Sequence, residues 1–217
     1  MRVLFIGNSY TYYNNMPLLF EQLANSNNKN VTVRSITKGG RMLESYTDAS
    51  DETTAALDAL LARETFDVCF IQEQSVLPAS DCSRFLAGLN CVVSKLTGRA
   101  ERRILYATWG RKSGSPELAA HNWTTEAMTQ LLLASYQKAA RLYGADVSQV
   151  GSNFLYVTQN HPEINLYTND CSHPSYQGSC LAALTHYYTV FKEFPSETGA
   201  LSLSDSELTA FRSAVCR

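Results

Sequence analysis

The chain has no run approaching the roughly 20 consecutive apolar residues that a membrane-spanning helix needs. It also has no basic stripe: Lys and Arg number 18 against 20 Asp and Glu, for a net charge of -2. A nucleic-acid backbone would find little to neutralise it, so nucleic acid is not an expected partner. Charged residues make up only 18% of the 217 residues and apolar ones 45%, against roughly 25% charged in an ordinary globular chain. That balance excludes intrinsic disorder and provides for a large core. No internal repeat, low-complexity tract or Pro/Gly-rich linker divides the chain, so one domain over residues 1–217 is expected. The opening Met1-Arg2-Val3-Leu4-Phe5-Ile6-Gly7 is too short for the apolar core of a secretory leader, and no small-residue cleavage site follows it. The expected location is cytoplasmic; oligomeric state is open.

Close cysteine pairs are missing as well. The six cysteines contain no Cys-x-x-Cys, and Cys82 with Cys91, or Cys171 with Cys180, stand too far apart for the paired ligands of a structural zinc site. No metal and no cofactor are expected. The Gly-x-Gly-x-x-Gly fingerprint of dinucleotide binding fails after Gly7, which is followed by Asn8, Ser9, Tyr10 and Thr11. No phosphate loop of the Gly-x-x-x-x-Gly-Lys type occurs. The Gly-x-Ser-x-Gly nucleophile elbow is absent too, since Thr11 stands where its second glycine belongs.

What is present is alternation. Short apolar and β-branched runs at residues 3–6, 31–36, 66–71 and 104–108, with a weaker one at 145–150, predict five strands. Between them lie stretches of helical period. One opens near Met16 with Asn14 or Asn15 as N-cap and Pro17 in its first turn. Others cover residues 53–63, a stretch capped by Ser80 or Asp81, residues 125–143, and a stretch following His173-Pro174. Ser204 with Glu207 resembles a capping box opening a terminal helix. Strands alternating with helices of this length require crossover connections and a mainly parallel sheet covered on both faces, a three-layer α/β/α sandwich. Ligands of such sheets bind outside the carboxyl ends of the strands. Those ends are residues 7–11, 37–40, 72–75, 109–110 and 151–153.

A serine nucleophile needs a base within hydrogen-bond reach, and the base needs a group that holds its tautomer. Of the four histidines, His173 alone has an acid three residues upstream, Asp170. By itself Asp170-Cys171-Ser172-His173 also reads as a helix N-cap before a proline. Together with the other strand ends, however, the sequence resembles the SGNH (GDSL-like) hydrolases, esterases and lipases on a flavodoxin-like sandwich. Gly7-Asn8-Ser9 matches the Gly-Asp-Ser block after the first strand, and Gly39-Gly40 matches the glycine after the second. Gln72-Glu73-Gln74-Ser75 falls on the Gly-x-Asn-Asp block after the third strand, and Asp170-x-x-His173-Pro174 matches the last block in full. The order holds from Gly7 to about Phe191.

The resemblance implies Ser9 as nucleophile, His173 as base and Asp170 as its orienting acid. It implies an oxyanion hole from the backbone N–H groups of Ser9 and Gly40 and the side chain of Gln74. Two departures stand out. Asn8 replaces the usual aspartate but keeps a side chain able to fix the turn. Gln74 and Gln72 replace the asparagine and glycine of the third block, which puts the amide donor on a longer arm. The expected function is a serine esterase acting on small acyl esters, acetyl groups on carbohydrate among them, with an acyltransferase or a non-catalytic ligand-binding domain as alternatives.

Each residue also has a plainer reading. Ser9 suits a helix N-cap, Gly39-Gly40 a tight turn, and Gln74 a bond to loop backbone. Ser75 is a rival nucleophile, and Cys171 is a thiol beside the proposed acid and base. Tyr10 and Trp109 are expected to line the substrate site, although tyrosines at this spacing also serve packing. Residues 110–122 are long enough for a lid or for an ordinary solvated connection.

Overall fold

The computed structural model describes all residues, Met1–Arg217. Five strands, β1 (Arg2–Gly7), β2 (Thr32–Thr37), β3 (Phe66–Ile71), β4 (Ala100–Tyr106) and β5 (Asp146–Ser148), form one sheet in the order β2-β1-β3-β4-β5. Every neighbouring pair is parallel, with Phe5 opposite Ser35 and Phe70, and Ile71 opposite Leu105. The continuous apolar runs of β1 and β3 follow from burial on both faces. Alternate residues serve two cores: Val3, Phe5, Val68 and Phe70 enter one, while Leu4, Ile6, Cys69 and Ile71 enter the other.

The first face is covered by α1 (Ser9–Tyr12), α2 (Met16–Ser26), α8 (Val150–Asn160), α9 (Tyr176–Phe191) and α10 (Asp205–Val215). The second is covered by α3 (Glu52–Arg63), α5 (Cys82–Leu96) and α7 (Thr125–Tyr143), with the short α4 (Leu77–Ser80) and α6 (Pro116–His121) at the carboxyl edge. Asp81 caps α5, and the Ser204–Glu207 capping box is formed. No helix is long and apolar enough to cross a membrane.

Two sequence expectations are corrected. The weak strand at 145–150 shrinks to the three residues of β5, and the expected strand-end loop at 151–153 is the first turn of α8. Val150, Phe154 and Val157 do carry helical spacing and are fully buried, but the β-branched Val147 and Val150 mask it. The helix expected from Met16 opens there as α2, but a short α1 precedes it and the Asn15 side chain makes no capping bond. Asn14 and Asn15 adopt left-handed φ values of 51° and 54° between α1 and α2, a conformation that asparagine tolerates better than most residues.

Candidate active site

Ser9 sits in the first turn of α1, directly beyond the carboxyl end of β1. Its own N-cap duty is taken by Asn8, whose Oδ1 accepts the Tyr10 N–H at 3.2 Å while its Nδ2 donates to the Arg41 carbonyl at 3.0 Å. Ser9 Oγ is thereby free for other partners. Gly7 must be glycine, because a Cβ there would collide with Thr11 Oγ1 and Gln72 Oε1. The fully buried Gln72 clamps this turn, accepting from Asn8 N and Thr11 Oγ1, each at 2.9 Å.

His173 and Asp170 come from the loop between α8 and α9, which is tied down at many points. Thr168 N donates to the His173 carbonyl at 2.9 Å, and Tyr167 bridges Pro174. Asn14 Nδ2 donates to the carbonyls of Pro174 and Ser175, joining the loop to the α1–α2 break. Asp170 Oδ1 accepts the N–H groups of Ser172 and His173 at 2.9 Å each and the Thr168 hydroxyl at 2.7 Å. Its other oxygen meets His173 Nδ1 at 2.5 Å, and His173 Nε2 meets Ser9 Oγ at 2.8 Å. The three side chains form one continuous hydrogen-bonded chain.

Partial burial works against the Asp170 charge, but the bonds from His173, Thr168 and the loop backbone overcome it and hold the carboxyl well below the usual carboxylate range. An ionised Asp170 fixes Nδ1 as a donor and leaves Nε2 as an acceptor for the serine proton. The Tyr13 ring lies flat on the imidazole, with centroids 4.3 Å apart and an interplanar angle of 14°.

The remaining histidines lack this arrangement. His121 stacks on Trp123, and His161 lies beside Glu163. His186 does contact a serine, Ser148 Oγ at 2.7 Å, but it is sealed in the core. Burial pulls its pKa down to about 3, and no carboxylate orients it. Ser75 is 5% exposed and accepts from Arg111 Nη2 at 2.9 Å, with no histidine contact. Cys171 is half-buried at a left-handed φ of 61°, its thiol 4.0 Å from the Asn169 carbonyl.

Gly40 occupies a left-handed φ of 67° in the turn after β2, closed by Arg41 N to the Lys38 carbonyl at 3.1 Å. Gln74 Oε1 accepts the N–H groups of Val76 and Leu77 at 2.8 and 2.9 Å. Because those partners can only donate, they settle which end of the amide is oxygen, and Gln74 Nε2 is left with no acceptor in the protein. The hollow beside the Gly40 turn, about 420 Å³, is lined by Lys38, Ser45, Asp48 and Asp51, with Met42 as its one apolar side chain. A larger hollow of about 610 Å³ along α8, α9 and α10 includes none of the residues above.

Tyr10 and Trp109 do not line the site. They are 3% and 0% exposed, stacked on each other at 4.5 Å, with Trp109 stacked in turn on Phe154 at 4.0 Å. The physical reason is that both rings face the core beneath the loop. There Tyr10 Oη bonds Ser172 Oγ and Trp109 Nε1 donates to the Ser172 carbonyl. They support the loop from below. The sequence did not show the holding roles of Gln72, Asn14, Thr168 and Tyr13, which share no spacing rule with the residues they hold. Residues 110–122 contain α6, and Lys112 N donates to the Cys171 carbonyl at 2.9 Å.

Glu73 is fully buried, and burial pushes its pKa up to about 7 against the N–H groups of Gln74 and Leu43, which favour the charged form. A carboxyl raised in this way stabilises the fold fully below its unfolded value near 4.5 and loses that contribution as pH rises to about 7, a change of about 3 kcal/mol. Glu73→Gln removes the titration. The variant's stability relative to wild type is therefore expected to improve between pH 4.5 and 7 and then level off. Urea unfolding at several pH values checks this, and a pH-independent difference contradicts it.

No family model and no curated protein matches this chain. Solved structures do. One described as an SGNH hydrolase from Slackia heliotrinireducens matches with a TM-score of 0.77 and 28% identity, covering 88% of this chain and 98% of that one. A DUF4886 family protein from Bacteroides uniformis matches with a TM-score of 0.83 and 17% identity, over 100% of this chain and 93% of the other. An acetylxylan esterase from Geobacillus stearothermophilus matches with a TM-score of 0.62 and 14% identity, over 91% and 95%. The fold is one that hydrolases and esterases share. In fold the chain is similar to the SGNH, or GDSL-like, hydrolases.

Proposed function

We propose that the chain is a serine esterase that hydrolyses small acyl esters, acetyl groups on carbohydrate first among them. The observation that carries this reading is the unbroken chain from Ser9 Oγ through His173 to Asp170. In the mechanism it supports, Ser9 Oγ attacks the acyl carbonyl carbon as its proton passes to His173 Nε2. Asp170 holds the imidazole and stabilises the imidazolium. The tetrahedral oxyanion takes the N–H groups of Ser9 and Gly40 and the Gln74 amide. Collapse expels the alcohol, which leaves with the proton from His173, and an acyl-serine remains. Water then attacks the acyl-serine, gives its proton to His173, and a second collapse returns that proton to Ser9 Oγ and frees the carboxylic acid.

The polar hollow beside Gly40 favours a hydroxyl-rich alcohol over a lipid chain, and acetylxylan esterases appear among the proteins of like fold. Hydrolysis of p-nitrophenyl acetate, butyrate and octanoate, with fluorophosphonate labelling of Ser9, tests the reading. Acetate is expected to be the best substrate and Ser9 the labelled residue. No hydrolysis above Ser9→Ala at any chain length, with no labelling, would turn the reading toward a ligand-binding domain.

Gln74 offers a sharper probe of the hole. Gln74→Glu keeps an oxygen for Val76 and Leu77 N–H but replaces the free donor by an acceptor. It is expected to lower kcat by about 10²- to 10³-fold with little change in KM, the usual effect of losing one oxyanion donor. An unchanged kcat in steady-state assays removes Gln74 from the hole.

A further inference from the structure

The two loops assigned to the oxyanion hole are not neighbours in sequence. The Gly40 turn follows β2, Gln74 follows β3, and β1 lies between those strands. One side chain joins them. Glu73 Oε1 accepts the Leu43 N–H at 3.0 Å and the Gln74 N–H at 2.6 Å. Its own backbone is held from both sides, since Glu73 N–H donates to Tyr136 Oη of α7 at 3.1 Å and its carbonyl accepts from Gln72 Nε2. Arg41, between Gly40 and Leu43, is anchored separately: Asn8 Nδ2 donates to its carbonyl, and its buried guanidinium meets Asp51 and Thr54 at 2.7 Å each.

This carboxyl is an expensive choice for its position. Glu73 Oε2 is buried with no partner, and an orphaned buried oxygen costs free energy that an apolar side chain at a strand end would avoid. The other oxygen does something no apolar side chain can do, because it accepts from both loops at once.

We propose that Glu73 is a positioning residue that locks the Gly40 turn and Gln74 into one rigid oxyanion frame. The proposal rests on the esterase reading above. Glu73 acts through the donors and touches no reacting atom; its contribution is preorganisation of groups that meet charge only in the transition state. Glutamine keeps the accepting oxygen in place and replaces only the orphaned one. Alanine removes the acceptor, and aspartate withdraws it by one methylene while keeping a carboxyl group.

The test measures kcat and KM on p-nitrophenyl acetate together with amide hydrogen exchange at Leu43 and Gln74, in wild type and in Glu73→Gln, Glu73→Asp and Glu73→Ala. Alanine and aspartate are expected to lower kcat about 10- to 100-fold, less than outright deletion of a donor, with KM changed less than about threefold and faster exchange at both amides. Glutamine is expected to restore kcat to within about threefold of wild type and to keep both amides protected. If Glu73→Ala does not fold, Glu73→Asp carries the comparison. Wild-type kcat in the aspartate variant, or loss of kcat in the glutamine variant with both amides still protected, overturns the proposal. A wild-type enzyme without ester hydrolysis overturns the esterase reading instead. In that event exchange at Leu43 and Gln74 still decides whether Glu73 joins the two loops, and unchanged exchange in the aspartate variant overturns the lock.

Discussion

Ser9→Ala is expected to lower kcat on p-nitrophenyl acetate by about 10⁶-fold while leaving KM nearly unchanged, the scale seen when a triad nucleophile is removed. The size follows from the arrangement of the first turn. Asn8, not Ser9, caps α1, and Gln72 clamps the backbone before it, so alanine removes one oxygen and disturbs little else. Alanine is also the best helix former. The thermal midpoint should therefore shift by no more than a few degrees, and lost activity will report chemistry rather than folding. Catalysis left behind by the oxyanion donors and binding alone should persist at about 10³- to 10⁴-fold over water. A drop of only tenfold, in protein shown free of wild-type contamination, would mean that another group supplies the nucleophile.

Asp170→Asn is expected to cost about 10⁴-fold in kcat, because the imidazole then loses the carboxylate that fixes its tautomer and stabilises its charged form. The loop itself should survive. The asparagine oxygen can still accept from Ser172 N, His173 N and the Thr168 hydroxyl, the three bonds that shape the turn. A pH signature accompanies the loss. Asp170 has its pKa depressed in the fold, so its contribution to stability is present above the unfolded value near 3.9 and disappears as pH falls below it. The variant should lack that acid-dependent part of the unfolding curve, which chemical denaturation between pH 2 and 5 can measure. A variant with near-normal kcat would show that His173 needs no carboxylate partner.

The layers of the fold were legible because strand and helix periods are local properties. Val3 to Ile6 of β1 and Val68 to Ile71 of β3 are apolar throughout since both faces are covered, and residues 125–143 coincide with α7. α8 was not legible: its buried Val150, Phe154 and Val157 compete with a β-branched composition, and its place against the sheet is set by tertiary contact. Ser9, Asp170 and His173, whose side chains the fold joins, could be picked out because each sits at a strand end or in a short motif. Tyr10 and Trp109 were misplaced for a simple reason. Chain position puts them beside the nucleophile and at the edge of β4, but only the packing of Phe154 beneath them turns both rings inward. Gln72 and Glu73 appeared in sequence only as departures from a familiar block. Their partners, Thr11 and Leu43, lie far along the chain, so their role depends on the sheet order.

The bond between Ser9 and His173 spans 164 residues of sequence. The pair therefore forms only once the sheet and the loop between α8 and α9 are both in place. Closing so long a loop is entropically unfavourable and belongs among the slow events of assembly. The docking of α9 against α2, bridged by Asn14, is what brings the two together. Regain of Ser9 reactivity toward a phosphonate during refolding would thus serve as a clock for completion of the whole sandwich. Until that docking, Ser9 Oγ and His173 Nε2 have no geometry in which to pair.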